Sequence, residues 1–142
     1  MAVVVFDADV LIAYLGRDDA HHADAVERMR RALESGTRRV VSAVNYSEVL
    51  IGPLQASGEA GAEIVDAMFV RFGIETIAVD MALARRAAAV RARTKLKLPD
   101  AYAVATAIHA EHRGHHDVRI ETFDKQVSKA YADLQPRPPA RA

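Results

Sequence analysis

Short apolar runs alternate along the chain with longer segments in which apolar residues recur at helical spacing. The first run, at residues 3–6, is rich in β-branched side chains and ends at acidic residues, which is typical of a buried parallel strand. The pattern predicts strands at 3–6, 39–41, 74–79 and 118–122, and helices at 10–15, 20–33, 43–54, 62–72, 81–94, 98–111 and 125–131. Because strands and helices alternate, we expect an α/β fold with a mainly parallel central sheet of four or five strands flanked by helices.

The chain has the length of one domain, 142 residues, and no internal repeat or linker divides it. We expect the folded domain to cover residues 1–132. The segment at 133–142 is rich in proline and breaks the helical pattern, so we expect a poorly ordered C-terminal tail there.

Composition narrows the class of protein. Hydrophobic residues make up 51% of the chain and charged residues 27%, as in a soluble globular protein. The absence of cysteine excludes a disulfide framework and a thiolate zinc site. The N-terminus lacks the features of a signal peptide, and no apolar run approaches the roughly 20 residues that span a bilayer. We therefore expect a cytoplasmic protein that does not enter a membrane.

The formal net charge is zero, which disfavours binding to nucleic acid by bulk charge alone. An enzyme that meets nucleic acid through bound metal ions and a local basic patch is still allowed. Basic residues on and after the helix at 81–94 suit either an RNA-backbone track towards Asp100 or a solvated helix face, and a second group suits the same two interpretations. The first group is Arg85, Arg86, Arg91, Arg93, Lys95 and Lys97, and the second is Arg28, Arg30, Arg31, Arg38 and Arg39.

Acidic residues recur where strands end or where helices begin. Asp7 and Asp9 follow the first strand, Glu48 lies in the second turn of the helix after the second strand, Asp100 opens the helix before the fourth strand, and Asp124 follows that strand. In open α/β sheets, ligands bind outside the C-terminal ends of the strands. We therefore expect these carboxylates at one edge of the sheet.

Carboxylates held close together repel one another unless a cation intervenes. Magnesium prefers oxygen ligands, and two such ions about 4 Å apart can activate a water and stabilise the leaving oxygen of a phosphodiester displacement. An acidic cluster of this kind indicates phosphoryl chemistry on a polyanion.

Simpler roles exist for several of these acids. Asp9 suits the N-cap of the helix at 10–15, Asp124 and Asp80 suit caps of later helices, and Asp100 favours its helix dipole. Glu48 is harder to explain structurally because it lies beside an apolar stripe, where a carboxylate needs a partner.

The pattern resembles the PIN-domain ribonucleases, and most closely the VapC-type toxins of bacterial toxin–antitoxin pairs. The resemblance rests on four stretches, at residues 4–12, 47–50, 97–107 and 121–124, which begin with Val-Val-Phe-Asp, Ser-Glu-Val-Leu, Lys-Leu-Pro-Asp and Glu-Thr-Phe-Asp. Their order and separation fit the family up to about Ala132.

The resemblance implies a PIN-like three-layer fold and an endoribonuclease that cleaves RNA with magnesium or manganese. It implies that Asp7, Glu48, Asp100 and Asp124 form a metal-binding, catalytic quartet. Asp9 and Thr122 match positions that support the site. A cognate antitoxin protein is the implied partner besides RNA. Independently of the resemblance, we expect a homodimer, and certain apolar positions suit either a dimer or antitoxin surface or plain core: Val44, Leu50, Ile51, Leu54, Met68 and Phe69.

Two other functions stay open at this point. A haloacid-dehalogenase-like phosphatase would use Asp7 as its nucleophile and Asp9 as acid or base, with Ser42 as a phosphate-binding hydroxyl. That interpretation leaves Glu48 and Asp100 unexplained. The other is a PIN scaffold that binds RNA or a partner without cutting.

Overall fold

Four parallel strands form the centre of the computed structural model, which describes residues 1–135. The strands are β1 (Ala2–Phe6), β2 (Thr37–Ser42), β3 (Ile74–Ile77) and β4 (Asp117–Glu121). The helices are α1 (Ala8–Leu15), α2 (His22–Ala32), α3 (Ala43–Ser57), α4 (Glu59–Phe72), α5 (Met81–Arg93), α6 (Leu98–His112) and α7 (Lys125–Leu134). The predicted α/β class and parallel sheet are confirmed.

The strand order is β3-β2-β1-β4, with every neighbouring pair parallel. The chain moves outward from β1 to β2 and β3, and then returns to place β4 on the other side of β1. The direction of winding therefore reverses between β1 and β4, and a crevice forms at such a point outside the carboxyl ends of the strands. This topology puts the residues after Phe6 beside the residues after Glu121, because these two are partners in the register.

Two hydrophobic cores cover the two faces of the sheet. Along β1, Val3 and Val5 pack with α5, α6 and α7, while Val4 and Phe6 pack with α1 to α4. This alternation follows from the two-residue period of a strand, and because β1 is covered on both faces it is apolar throughout. The result is the predicted three-layer arrangement of helices, sheet and helices.

Several element boundaries differ from the prediction. Helix α3 does not end near Pro53 but runs through it to Ser57, and α4 begins at Glu59 rather than at 62. Gly58 forms the connection between α3 and α4, with a φ of +58°. Gly61 is helical, and a Cβ there would lie 2.0 Å from the carbonyl oxygen of Pro53. Glycine is needed there because α3 and α4 come into backbone contact.

The ends of β3 and of the chain also differ. Strand β3 stops at Ile77 rather than at 79, because its neighbour β2 ends at the register partner Ser42. Asp133 and Leu134 are helical, and no fifth strand occurs within residues 1–135. The predicted tail at 133–142 thus overlaps the end of α7, and its residues 136–142 lie outside the described part of the chain. Among the described residues, no helix combines the length and the hydropathy needed to cross a bilayer.

Candidate active site

Asp7 lies at the point where β1 ends and α1 begins. Its backbone N–H donates to the carbonyl of Glu121 at 2.9 Å, which extends the β1–β4 pairing by one residue. Its side chain is the N-cap of α1, with Oδ1 accepting from the Ala8 N–H at 2.8 Å. The prediction of Asp9 as this cap was wrong, because α1 begins two residues earlier than expected. Asp7 is only 3% exposed, so its carboxylate is held inside the crevice.

Thr122, which follows β4, contacts the two acids that follow β1. Its hydroxyl donates to Asp7 Oδ2 at 2.9 Å and also lies 3.3 Å from Asp9 Oδ2. The same hydroxyl accepts from the Asp124 N–H at 3.1 Å, and the Phe123 N–H donates to Asp9 Oδ2 at 2.9 Å. The segment after β4 therefore binds the carboxylates of both Asp7 and Asp9.

Glu48 is oriented by Asn45, a buried residue that the sequence analysis did not identify. Asn45 lies one turn before Glu48 in α3, and its Nδ2 donates to Glu48 Oε1 and to the carbonyl of Pro99, both at 3.0 Å. Its Oδ1 accepts from the Ser42 hydroxyl at 2.6 Å. Asn45 thus joins the end of β2, Glu48 and the start of α6. A polar residue three positions before Glu48 on the buried side of α3 was the signal available in the sequence.

The remaining two acids occupy helix N-termini. Asp100 lies in the first turn of α6, next to Pro99. Asp124 is the N-cap of α7 and accepts from the Gln126 N–H at 2.8 Å, so its predicted cap role is confirmed. Asp80 caps α5 in the same way, as predicted, through the Leu83 N–H.

Electrostatic coupling shows that the acids share one environment. Burial raises the pKa of Asp7 to about 7, and the charges of Asp9 and Asp100 add to the rise. Burial also raises the pKa of Asp9, with a contribution from Asp124. The pKa of Asp100 is raised by burial and then by the charges of Asp124, Glu48 and Asp9. Each of the five carboxylates is therefore within electrostatic range of another.

The chemistry of this cluster fits a divalent cation. Within residues 1–135 none of the five carboxylates forms an ion pair with lysine, arginine or histidine. Asp9 Oδ1 is buried and has no hydrogen-bond partner there, an arrangement that is costly unless a cation compensates it. However, no group of three or more histidine, aspartate or glutamate side chains in the described residues is arranged to hold a metal ion. The acids are thus gathered at one edge without forming a closed ligand set.

Two members of the first predicted basic group, Arg86 and Lys97, can be located relative to this edge. Burial lowers the pKa of His109 in the last turn of α6, and the charge of Arg86 adds to that effect, so Arg86 lies towards the end of α6 remote from Asp100. Lys97, which immediately precedes α6, lowers the pKa of Asp100 through its charge, so it lies near this edge.

In the second group, most of the guanidinium groups have internal partners. Arg30 pairs with Glu27 and Arg38 with Glu75. Arg39 donates to three backbone carbonyls, those of Ala32, Thr37 and Phe72. Arg28 pairs with the buried Glu121. These four arginines therefore have partners within the fold, and Arg28 has its partner at the end of β4.

The candidate dimer or antitoxin positions divide between core and surface. Met68 and Phe69 are buried, and Val44 and Leu50 pack against the cores. Ile51 and Leu54 of α3 are exposed, as are Ile64 and Val70 of α4. Only the exposed positions are available for a partner.

The fold and the site together define an α/β protein with electrostatically coupled carboxylates near the point where its sheet reverses direction. The PIN domain family model matches residues 4–133, and the chain belongs to this family. The family assignment leaves the haloacid-dehalogenase alternative without support. No curated protein sequence matches the chain.

Solved structures show the same fold. The Mycobacterium tuberculosis toxin VapC20, described as cleaving the sarcin-ricin loop, aligns over 94% of this chain and 99% of its own with a TM-score of 0.69 and 18% identity. A toxin–antitoxin complex from Klebsiella pneumoniae aligns over 87% and 88%, respectively, with a TM-score of 0.62 and 26% identity. VapBC-1 from nontypeable Haemophilus influenzae aligns over 94% and 95% with a TM-score of 0.66 and 14% identity.

Proposed function

We propose that this protein is a metal-dependent endoribonuclease and that it acts as the toxin of a toxin–antitoxin pair. One observation carries the nuclease assignment. Carboxylates from four separate segments of the chain lie close enough for their charges to act on one another, and burial together with these charges raises the pKa of Asp7, Asp9 and Asp100. Such an arrangement is unfavourable without a cation and suits the cleavage of a phosphodiester.

Asp7, Glu48, Asp100 and Asp124 are the residues we propose to hold magnesium, or manganese in its place. The bound ion would neutralise the carboxylates and lower the pKa of a water so that it can attack phosphorus. The chain itself holds the acids in position. Thr122 and the Ala8 N–H fix the two oxygens of Asp7, and Asn45 fixes Glu48 relative to α6.

The assignment as a toxin draws on the Klebsiella pneumoniae and Haemophilus influenzae complexes, which share the fold over most of the chain. We propose a cognate antitoxin as protein partner and a homodimer as the assembled form. Exposed apolar side chains on α3 and α4 offer surface for such contacts, and they include Ile51, at 54% exposure, and Val70, at 84%. We also propose the cytoplasm as the location, where RNA and an antitoxin would be met.

A cleavage assay tests the enzyme. The purified protein is incubated with single-stranded and structured RNA in magnesium, with and without EDTA, beside Asp7→Asn and the control Asp80→Asn. Asparagine is also a good N-cap, so the control should preserve α5. We expect cleavage that requires the metal, that is lost in Asp7→Asn and that persists in Asp80→Asn.

Other outcomes would contradict the proposal. Release of phosphate from a small phosphate ester with RNA left intact would indicate a phosphatase. Binding of RNA without cleavage in magnesium or manganese would indicate a binding module. For the toxin assignment, expression of the wild-type protein should arrest growth and Asp7→Asn should not. Normal growth of cells that contain active nuclease would contradict the toxin assignment and leave the nuclease assignment standing.

A further inference from the structure

An aromatic stack adjoins the acidic cluster, and the site described above does not use it. The ring of His21 stacks on the ring of Phe123, with centroids 4.8 Å apart and planes 22° from parallel. The guanidinium carbon of Arg28 lies 4.7 Å from the centroid of the same Phe123 ring. Phe123 directly follows Thr122, and its N–H holds Asp9 Oδ2. Phe123 therefore joins the two features, because its ring belongs to the stack and its backbone N–H binds Asp9.

The stack forms one wall of a recess that opens beside the acids. The recess has a volume of about 400 Å³ and is lined by Asp9, Ile12, Asp124, His21 and Phe123, among others. This volume is in the range of sites that take small organic groups, about 300–1,000 Å³. Because Asp9 and Asp124 line it as well, a group bound there would lie next to the reacting centre.

Hydrogen bonds fix the backbone of His21 and the guanidinium group beside Phe123. The His21 N–H donates to Asp19 Oδ1 at 2.8 Å, while Arg28 donates to Glu121 Oε2 and to the Thr122 carbonyl, both at 3.0 Å. His21 occupies the N-cap position of α2 but makes no side-chain capping bond. Serine, threonine, aspartate and asparagine are the residues that cap helices well. The imidazole therefore does not cap α2. It stacks on Phe123 instead, while the residue as a whole is exposed to solvent.

We propose that His21 and Phe123 form a stacking subsite for one nucleobase of single-stranded RNA, next to the phosphodiester that is cut. This inference rests on the proposed function, of which it specifies the substrate contact. Every base has an apolar face that stacks on aromatic rings, and proteins use such rings to hold unpaired bases. A neutral base can enter a recess lined by carboxylates, whereas a phosphate needs the proposed metal ion to offset their charge. The base therefore enters the recess, and the unpaired strand places its phosphodiester at the acidic cluster.

Steady-state kinetics with a short single-stranded RNA test this subsite. The variants are His21→Ala, which removes the ring, His21→Phe, which keeps an aromatic face, and His116→Ala as a control at an exposed histidine before the opposite end of β4. We expect His21→Ala to raise KM about 5- to 20-fold, in the lower part of the range for loss of one stacked base. His21→Phe should restore KM, and His116→Ala should match the wild type.

A binding measurement makes the test independent of cleavage. In the Asp7→Asn background, an RNA with 2-aminopurine at successive positions reports stacking as fluorescence quenching. We expect strong quenching at one position, its loss in His21→Ala, and its recovery in His21→Phe. Thermal unfolding of each variant shows whether the fold is intact.

Each remaining outcome decides one of the two proposals. A wild-type KM in His21→Ala, a fall in kcat alone, or failure of a folded His21→Phe to restore binding would overturn the subsite and leave the nuclease standing. Position-specific quenching that depends on the His21 ring, together with no RNA cleavage by the wild-type protein, would support the subsite and contradict the nuclease.

Discussion

Replacement of Asp7 by asparagine should stabilise the metal-free protein while abolishing catalysis. Asp7 is almost fully buried, and its pKa rises from an ordinary value of 3.8 to about 7, through burial first and then through the charges of Asp9 and Asp100. Asparagine removes the charge. Its amide oxygen can still accept from the Ala8 N–H, and the Thr122 hydroxyl can rotate to accept from its NH₂ group. The substitution thus relieves repulsion at small structural cost.

The sign and the size follow from proton linkage. Between about pH 4 and pH 7 the carboxyl is ionised in the unfolded chain and protonated in the folded protein, so the folded state binds more protons. The free energy of unfolding therefore falls as the pH rises through this window, and the loss is complete above pH 7. The shift corresponds to about 4 kcal/mol. After allowance for altered hydrogen bonds, we expect Asp7→Asn to exceed the wild type by about 2–4 kcal/mol at pH 8 and by little near pH 4.

Urea denaturation in EDTA at a series of pH values measures this difference. Magnesium should then stabilise the wild type, because binding to the folded state alone raises the free energy of unfolding, and it should stabilise Asp7→Asn much less. Asp80→Asn is the control, since that exposed cap is outside the cluster. An Asp7→Asn protein no more stable than the wild type at pH 8, or a difference that does not change with pH, would refute the reasoning.

Two further predictions concern the buried hydrogen bonds of Asn45 and the contact between α3 and α4 at Gly61. Asn45→Ala should lower the free energy of unfolding by about 2–4 kcal/mol and reduce cleavage, because Ser42 and the Pro99 carbonyl lose a buried partner. The exposed neighbour Ser47→Ala should stay within about 0.5 kcal/mol in the same denaturation series, and equal losses in both would contradict a specific role for Asn45. Gly61→Ala should destabilise by about 3 kcal/mol, because its Cβ would meet the Pro53 carbonyl. Gly52→Ala, with open space around it, should stabilise α3 by about 1 kcal/mol, and similar melting temperatures for the two variants would argue against close α3–α4 contact.

The sequence by itself determined the order of strands and helices, the parallel sheet, and several helix starts. These features depend on local periodicity and on short-range hydrogen bonds, such as those by which Ser42, Asp80 and Asp124 cap their helices. It also located the acids of the cluster, because residues that follow parallel strands share one edge of the sheet. Their roles as metal ligands stay predictions.

Contacts between distant segments were decided by the tertiary structure alone. Pairing of β4 with β1 puts Thr122 beside Asp7, although 115 positions separate them in the chain. The raised pKa of Asp7 depends on burial by several elements at once, which no local pattern reports. The same holds for the link from Asn45 to Pro99 and for the approach of Gly61 to Pro53. Local patterns determine which elements form, whereas the polarity and packing of the site depend on which elements meet.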